Sequence, residues 1–180
     1  MPRLIALVGL PGAGKSTVTE IFTDQGYQRV YFGGLTIDKL TESGQAINEV
    51  NERKMREELR STYGMGAYAL LNLPKVETAL TKGKTIIDDL YSWEEYLLIK
   101  EKFPYVKILA VYAPPAVRYQ RLAKRKVRPL TTEEAASRDQ AQIENLHQAG
   151  PIAVADWTFL NLGTKDELVK MVKIYIDGQS

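Results

Sequence analysis

The chain has 180 residues, the size of one domain and long enough to bury a full core without disulfides or a structural metal. Its 44% hydrophobic and 26% charged residues, with 13 Gly and 8 Pro, exclude collagen-like, low-complexity and disordered chains, and a net charge of +2 gives no bulk attraction to nucleic acid or membrane. The absence of cysteine excludes thiol catalysis, thiolate zinc sites and disulfides, and a single histidine excludes a polyhistidine metal site, which points to a reduced, cytoplasmic protein.

Short apolar runs alternate with longer helical stretches, the pattern of a parallel α/β sheet. Leu4–Val8 reads as a buried strand, and the run to Leu10 is too short for a membrane span and a poor signal peptide. A helix is expected over Lys15–Gln25, ended by Gly26, then a strand over Tyr27–Phe32 closed by Gly33-Gly34. Helices follow at about 45–62 and 67–81, separated by Gly64 and Gly66. Thr85–Asp88 is the third strand, Glu94–Lys102 a helix ended by Pro104, and Val106–Tyr112 the fourth strand. Helices are expected over Ala116–Lys126 and Thr132–Gln148, the second opened by Thr131/Thr132 with Glu133-Glu134 in its first turn. Trp157–Leu160 is the fifth strand and Lys165–Ile176 the closing helix; Trp157 and Phe159 are expected in the core.

Gly9-Leu-Pro-Gly-Ala-Gly14-Lys15-Ser16 fits G-x-x-x-x-G-K-[ST] between a strand and a helix, the context that a phosphate loop requires. Its glycines let successive backbone N–H groups turn towards phosphate oxygens, and the helix N-terminus adds its positive dipole end. Gly9, Pro11, Gly12, Ala13, Gly14, Lys15, Ser16 and Thr17 are therefore the expected nucleotide contacts. Lys15 is expected on the β- and γ-phosphates and Ser16 on Mg²⁺. The third strand ends Asp88-Asp89 without the Glu that motor-type ATPases use to orient water, and no GTPase-type base-reading motif is correctly spaced. Asp88 is the expected metal-shell carboxylate, although Asp is also a good helix N-cap.

Residues 118–128 hold six basic residues in eleven with no acid. Arg118, Arg121, Arg125 and Arg128 recur at helical spacing, which would put them on one face. Arg138-Asp139 follows ten residues on. Phosphoryl transfer spreads negative charge over equatorial oxygens, so Arg121, Arg125, Arg128 and Arg138 are candidate lid cations, with a solvated basic face as the plain alternative.

With these segments in place the sequence resembles small P-loop kinases of the nucleotide-kinase group, related to dephospho-CoA kinase and adenylate kinase. The resemblance covers most of the chain, through Ile5–Thr17, Leu59-Arg60 to Ala69, Ile86–Glu95, Arg118–Arg128, and Arg138 through Asp156-Trp157 to Gly163. It implies one domain over residues 1–180 with a five-stranded parallel sheet in order 2-3-1-4-5. It further implies an acceptor-binding region at about 33–82 and a lid at about 118–140. Asn161 and Gly163 are then implied near the adenine of ATP, where residue chemistry alone gives a turn.

Two departures stand out. Asp89 and Tyr91 fill the places where such kinases often carry a Gly and an acceptor-gripping Arg, so that contact is expected to be lost or to move to Arg60 or Arg53. Phe32-Gly33-Gly34 stands where dephospho-CoA kinases carry an Asp, the nearest acid being Asp38. Trp93 is expected either in the acceptor pocket or in the core, and His147 near a helix end. The leading expectation is an ATP- and Mg²⁺-dependent kinase acting on a nucleoside monophosphate, as monomer or homodimer, without nucleic acid or membrane partners. Dephospho-CoA kinase and an ATP-binding sensor or regulatory ATPase are the alternatives.

Overall fold

The computed structural model describes residues 1–126 and 128–179; Val127, within the expected lid, and Ser180 lie outside the described residues. Among the described residues, five strands form one all-parallel sheet: β1 (Leu4–Val8), β2 (Gln28–Tyr31), β3 (Thr85–Asp88), β4 (Lys107–Tyr112) and β5 (Trp157–Leu160). Their order is β2-β3-β1-β4-β5, as the resemblance implies. β1 is central, with Ile5 opposite Ile86 on one side and Lys107 on the other. All five of its residues are buried, because a parallel strand covered on both faces has no polar side.

Alternation along β1 divides the core. Leu4, Ala6 and Val8 join the layer that includes Phe32, Tyr68, Val76 and Ile99, whereas Ile5 and Leu7 join Val18, Phe22, Phe159 and Val172. The second layer is covered by α1 (Lys15–Asp24) and α9 (Lys165–Asp177). The first is covered by α4 (Ala67–Lys82) and α5 (Trp93–Lys102), with α2 (Gly34–Glu42) and α3 (Glu49–Tyr63) beside them.

Three helical readings need correction. α2 was not expected, since it opens on glycine and carries four threonine and acidic positions in nine residues; its buried Leu35, Thr36 and Leu40 are what hold it. The helix expected to reach Lys126 is α6 (Pro115–Ala123), and it stops at Ala123, so Arg125 and Arg128 leave the helical face of Arg118 and Arg121. Arg128 itself has φ +51, and Pro129 follows it. The helix expected over Thr132–Gln148 is α7 (Thr132–Glu144) followed by short α8 (Ala149–Ala153), with His147 at φ +52 between them. Thr131 caps α7 with a reciprocal Glu134 bond, as the sequence suggests. Trp157 is half exposed, whereas Phe159 is buried. No helix among the described residues is long and apolar enough to cross a membrane.

Candidate active site

The turn from β1 into α1 is built on three glycines with positive φ: Gly9 (+148), Gly12 (+80) and Gly14 (+107). A Cβ at Gly9 would enter the carbonyl of Val111, and one at Gly12 would stand 2.8 Å from the carbonyl of Arg118. The loop's own carbonyls are turned to side chains. Arg118 Nη1 donates to Pro11 O at 3.1 Å, Asn161 Nδ2 to Ala13 O at 2.7 Å and Gln148 Nε2 to Gly9 O at 3.4 Å. Lys15 Nζ donates to the carbonyl of Gly9, and Leu10 O lies 3.5 Å away. Ser16 is exposed and Thr17 half-buried in the first turn of α1, the helix end whose dipole favours an anion.

The two acids at the end of β3 turn to different partners. Both oxygens of buried Asp88 are engaged: Thr19 Oγ1 donates to Oδ1 at 3.1 Å, and Arg29 Nε and Nη2 approach Oδ2 at 2.8 and 2.5 Å. Asp88 is thus not the carboxylate presented to the loop. That one is Asp89, whose Oδ1 stands 3.2 Å from Lys15 Nζ and whose Oδ2 accepts from Tyr91 at 2.7 Å. Asp89 reaches this position through a φ of +75, uncommon for a residue with a side chain. Burial above all, then Asp89 and Tyr31, hold the Tyr91 hydroxyl well above its ordinary range.

The four candidate lid arginines separate into three groups. Arg121 Nη2 donates to Asn161 Oδ1 at 3.1 Å and Gly163 O at 2.9 Å, so it locks the loop after β5 with Asn161 behind the phosphate loop. The Arg125 guanidinium is lowered from its usual range by loss of water first and then by Arg138, with Asp89 pulling the other way, and Arg138 lines the cavity between α2, α3 and α7. Arg128 clasps Glu52 across the chain, Nη2 to Oε1 at 2.7 Å and Nη1 to Oε2 at 3.2 Å. Arg118 is structural: nearly buried, it makes a two-pronged pair with Asp139 at 2.8 and 2.5 Å and donates to Ala113 O at 2.9 Å.

Between α2, α3 and α7 opens a cavity of about 1040 Å³. Arg56, Arg60, Arg128 and Arg138 line it, together with Tyr31, Tyr68 and Tyr91. Arg60 lies over the Tyr68 ring at 5.2 Å, a cation–π distance. Through Tyr91 and Asp89 the cavity is one hydrogen bond and one ion pair from Lys15. Just behind this wall Glu95 is fully buried, and burial pushes its carboxyl up to about 8 against the pull of the Tyr91 N–H and Arg60. Arg53 pairs with Glu57 on the surface, and Asp38 pairs with Lys75 there, so neither joins the cavity. Trp93 stacks on Tyr96 at 4.8 Å and packs against Gly150, a packing role.

Sequence reasoning missed Asp89 as the partner of Lys15, and it missed Glu52, Arg56, Gln148 and Arg29. Glu52 had a legible signal: it shares one face of α3 with Met55 and Leu59, an acid on an apolar stripe. Among the described residues no group of three or more His, Cys, Asp or Glu could hold a metal. The glycine cradle and the free hydroxyl of Ser16 fit a nucleotide with Mg²⁺, an ion that keeps several waters and needs few protein ligands.

Comparison with known proteins agrees with this geometry. Residues 5–144 match the family model described as AAA domain. A UPF0200 protein of Thermococcus gammatolerans is 32% identical over 179 residues, covering 97% of this chain and 94% of the relative. One of Sulfurisphaera tokodaii is 32% identical over 170 residues, covering 92% and 90%. Among solved structures, TT1252 from Thermus thermophilus aligns over 99% of this chain and 98% of its own, with a TM-score of 0.68 at 19% identity. Shikimate kinase from Bacteroides thetaiotaomicron aligns over 98% of each chain, with 0.63 at 14%. A gluconokinase from Sinorhizobium meliloti covers 95% and 89%, with 0.58 at 14%. The fold is that of the P-loop kinases.

Proposed function

As a member of the AAA domain family and of the UPF0200 proteins, the chain belongs to the P-loop NTPases, and we propose that it is an ATP- and Mg²⁺-dependent kinase acting on a nucleoside monophosphate. One observation carries this reading: four guanidiniums, balanced by four glutamates, and three tyrosines line a cavity whose Tyr91 wall is joined to Lys15 through Asp89. Arginines offset the repulsion between two polyanions, and aromatic faces suit a nucleobase. The volume is in the range of small-molecule sites.

The available carboxylates support a phosphate acceptor over an alcohol. An alcohol must lose a proton during transfer and profits from a free carboxylate base. Asp38 is paired with Lys75, Asp88 with Thr19 and Arg29, and Asp89 with Lys15 and Tyr91, while the cavity's own Glu49, Glu52 and Glu57 pair with Arg56, Arg128 and Arg53, and Glu134 accepts from Thr131 N–H. A phosphate monoester is already an anion at neutral pH and needs no base. In this reading the loop amides and Lys15 bind the nucleotide's phosphates, and Ser16 holds Mg²⁺, which supplies charge neutralisation when bound. Arg125 and Arg138 face the transferred group, and Arg60 receives the acceptor's phosphate. Arg121 keeps Asn161 and Gly163 in place beside the adenine. Residues 33–82 form the acceptor region and 118–140 the lid of one domain. A panel of acceptors with ATP, followed by ADP release, tests it: stimulation by a nucleoside monophosphate is expected, and slow acceptor-independent hydrolysis alone would instead make the chain a sensor or regulatory ATPase.

A further inference from the structure

Glu52 occupies a place in the cavity that suits an anion from outside. It is 6% exposed, and both of its oxygens are gripped by Arg128, with Arg56 Nη1 standing 3.5 Å from Oε2. This fork on a carboxylate is the geometry that a guanidinium also offers to phosphate. Glu49 completes the cluster, 2.9 Å from Arg56 and 3.5 Å from Arg128, but it is largely exposed and screened by water. Two guanidiniums thus face two carboxylates. An incoming anion meets no net charge on this arginine pair until a carboxylate leaves, and the desolvated one is Glu52.

Resting on the phosphate acceptor proposed above, we infer that Glu52 is an internal anion seated on Arg128 and Arg56, which line the same cavity as Arg60, and that it sets the charge an acceptor must bring to recruit Arg128 as a second phosphate contact. A carboxylic acid carries the same charge as Glu52 and gains nothing by the exchange. A phosphate ester carries about −1.5 to −2 at pH 7 with three strong acceptor oxygens, so Arg128 is better paired with it. Arg56 remains beside Glu52, which limits the cost of leaving that carboxylate half-buried. Glu52 is therefore a specificity residue that acts by competition, favouring phosphates over carboxylates.

The probe is inorganic phosphate, with acetate as the single-charge control, titrated into the full chain by calorimetry at constant ionic strength. Glu52→Gln is expected to bind phosphate about tenfold more tightly than the parent and to begin binding acetate, since one competing charge is gone. Adding Arg128→Gln should remove the gain. A purely structural brace predicts the opposite sign, because its loss would loosen Arg128; unchanged or weaker phosphate binding in E52Q overturns the inference. If E52Q does not fold, Glu52→Asp, which keeps the charge but shortens the reach to Arg128, is expected to gain part of the same tightening, and no gain there overturns it equally. The experiment needs no turnover, so its failure is separate from failure of the kinase reading, which the acceptor panel decides.

Discussion

The phosphate loop and the acceptor cavity meet at Asp89 and Tyr91, yet they are held by different means. Backbone fixes the loop: three left-handed glycines set its path, and Arg118, Gln148 and Asn161 pin its carbonyls from outside. Charge fixes the cavity: Arg128 reaches Glu52 across 76 residues, and Arg60 covers Tyr68. A backbone cradle keeps its shape when one ligand-facing side chain is lost. Walls held by ion pairs can rearrange when another anion enters, which is what a site that must close over a polyanion requires. Substitutions in the loop should therefore abolish chemistry in a stable protein. Substitutions around the cavity should move affinity, stability and pH dependence.

The largest expected effect comes from cutting the tie between the loop and α7, which forms one wall of the cavity. Arg118 touches the loop at Pro11, the end of β4 at Ala113 and α7 at Asp139, all while buried. Arg118→Ala leaves the buried Asp139 charge without its cation, with only the Tyr119 hydroxyl still donating to it, a loss of about 3 kcal/mol. Thermal unfolding is the measurement, and Arg118→Lys, which lacks the fork, should recover only part of the loss. Unchanged stability in Arg118→Ala would remove the pair from the fold.

Within the loop, Lys15→Ala should slow phosphoryl transfer by about 10²–10³-fold or more, by analogy with loss of an oxyanion donor. Its melting temperature should stay close to the parent's, since Lys15 faces carbonyls and Asp89 rather than the apolar core. Near-normal turnover would contradict the assignment of Lys15, and gross unfolding would contradict the claim that the backbone sets the loop.

Behind the cavity, Glu95 gives a pH signature. Its folded pKa is raised to about 8 from an ordinary 4.5, so its contribution to stability is complete below about 4.5 and is lost as pH rises towards 8. The slope is on the order of 1 kcal/mol per pH unit over that window. Glu95→Gln stays neutral and should lack this slope. Unfolding midpoints at pH 5.5 and 8 should thus converge in the variant relative to the parent, and parallel behaviour would place the Glu95 charge elsewhere. The smallest effect is expected in the lid: hydrogen exchange with a bisubstrate analogue should raise protection across residues 118–140, and unchanged protection would count against closure.

The same contrast explains what was legible in the sequence. The phosphate loop is local, so spacing alone located Gly9 through Ser16, and alternating apolar runs located all five strands. The resemblance supplied their order. Arg118, Arg121, Arg125 and Arg128 were read as one stripe because their spacing is helical, but α6 ends at Ala123 and sends them to different partners. The buried pairs had a weaker signature in the chain. Glu52 shares an apolar face with Met55 and Leu59, and Asp139 shares a buried face with Ala135 and Gln142. A charge on such a stripe announces a buried partner, but the partner's identity is set by tertiary packing. The pairing of Asp89 with Lys15 was illegible because it turns on a single positive φ at Asp89.

The acceptor is the central claim, and competition between acceptors tests it most directly. Nucleoside monophosphates and dephospho-CoA are compared at equal concentration with ATP and Mg²⁺, through kcat/KM from ADP release. The four cavity arginines and the engaged state of Asp38, Asp88 and Asp89 predict that at least one nucleoside monophosphate has the higher kcat/KM. A value for dephospho-CoA above that of every monophosphate would contradict the phosphate acceptor and require one of those carboxylates to serve as a base.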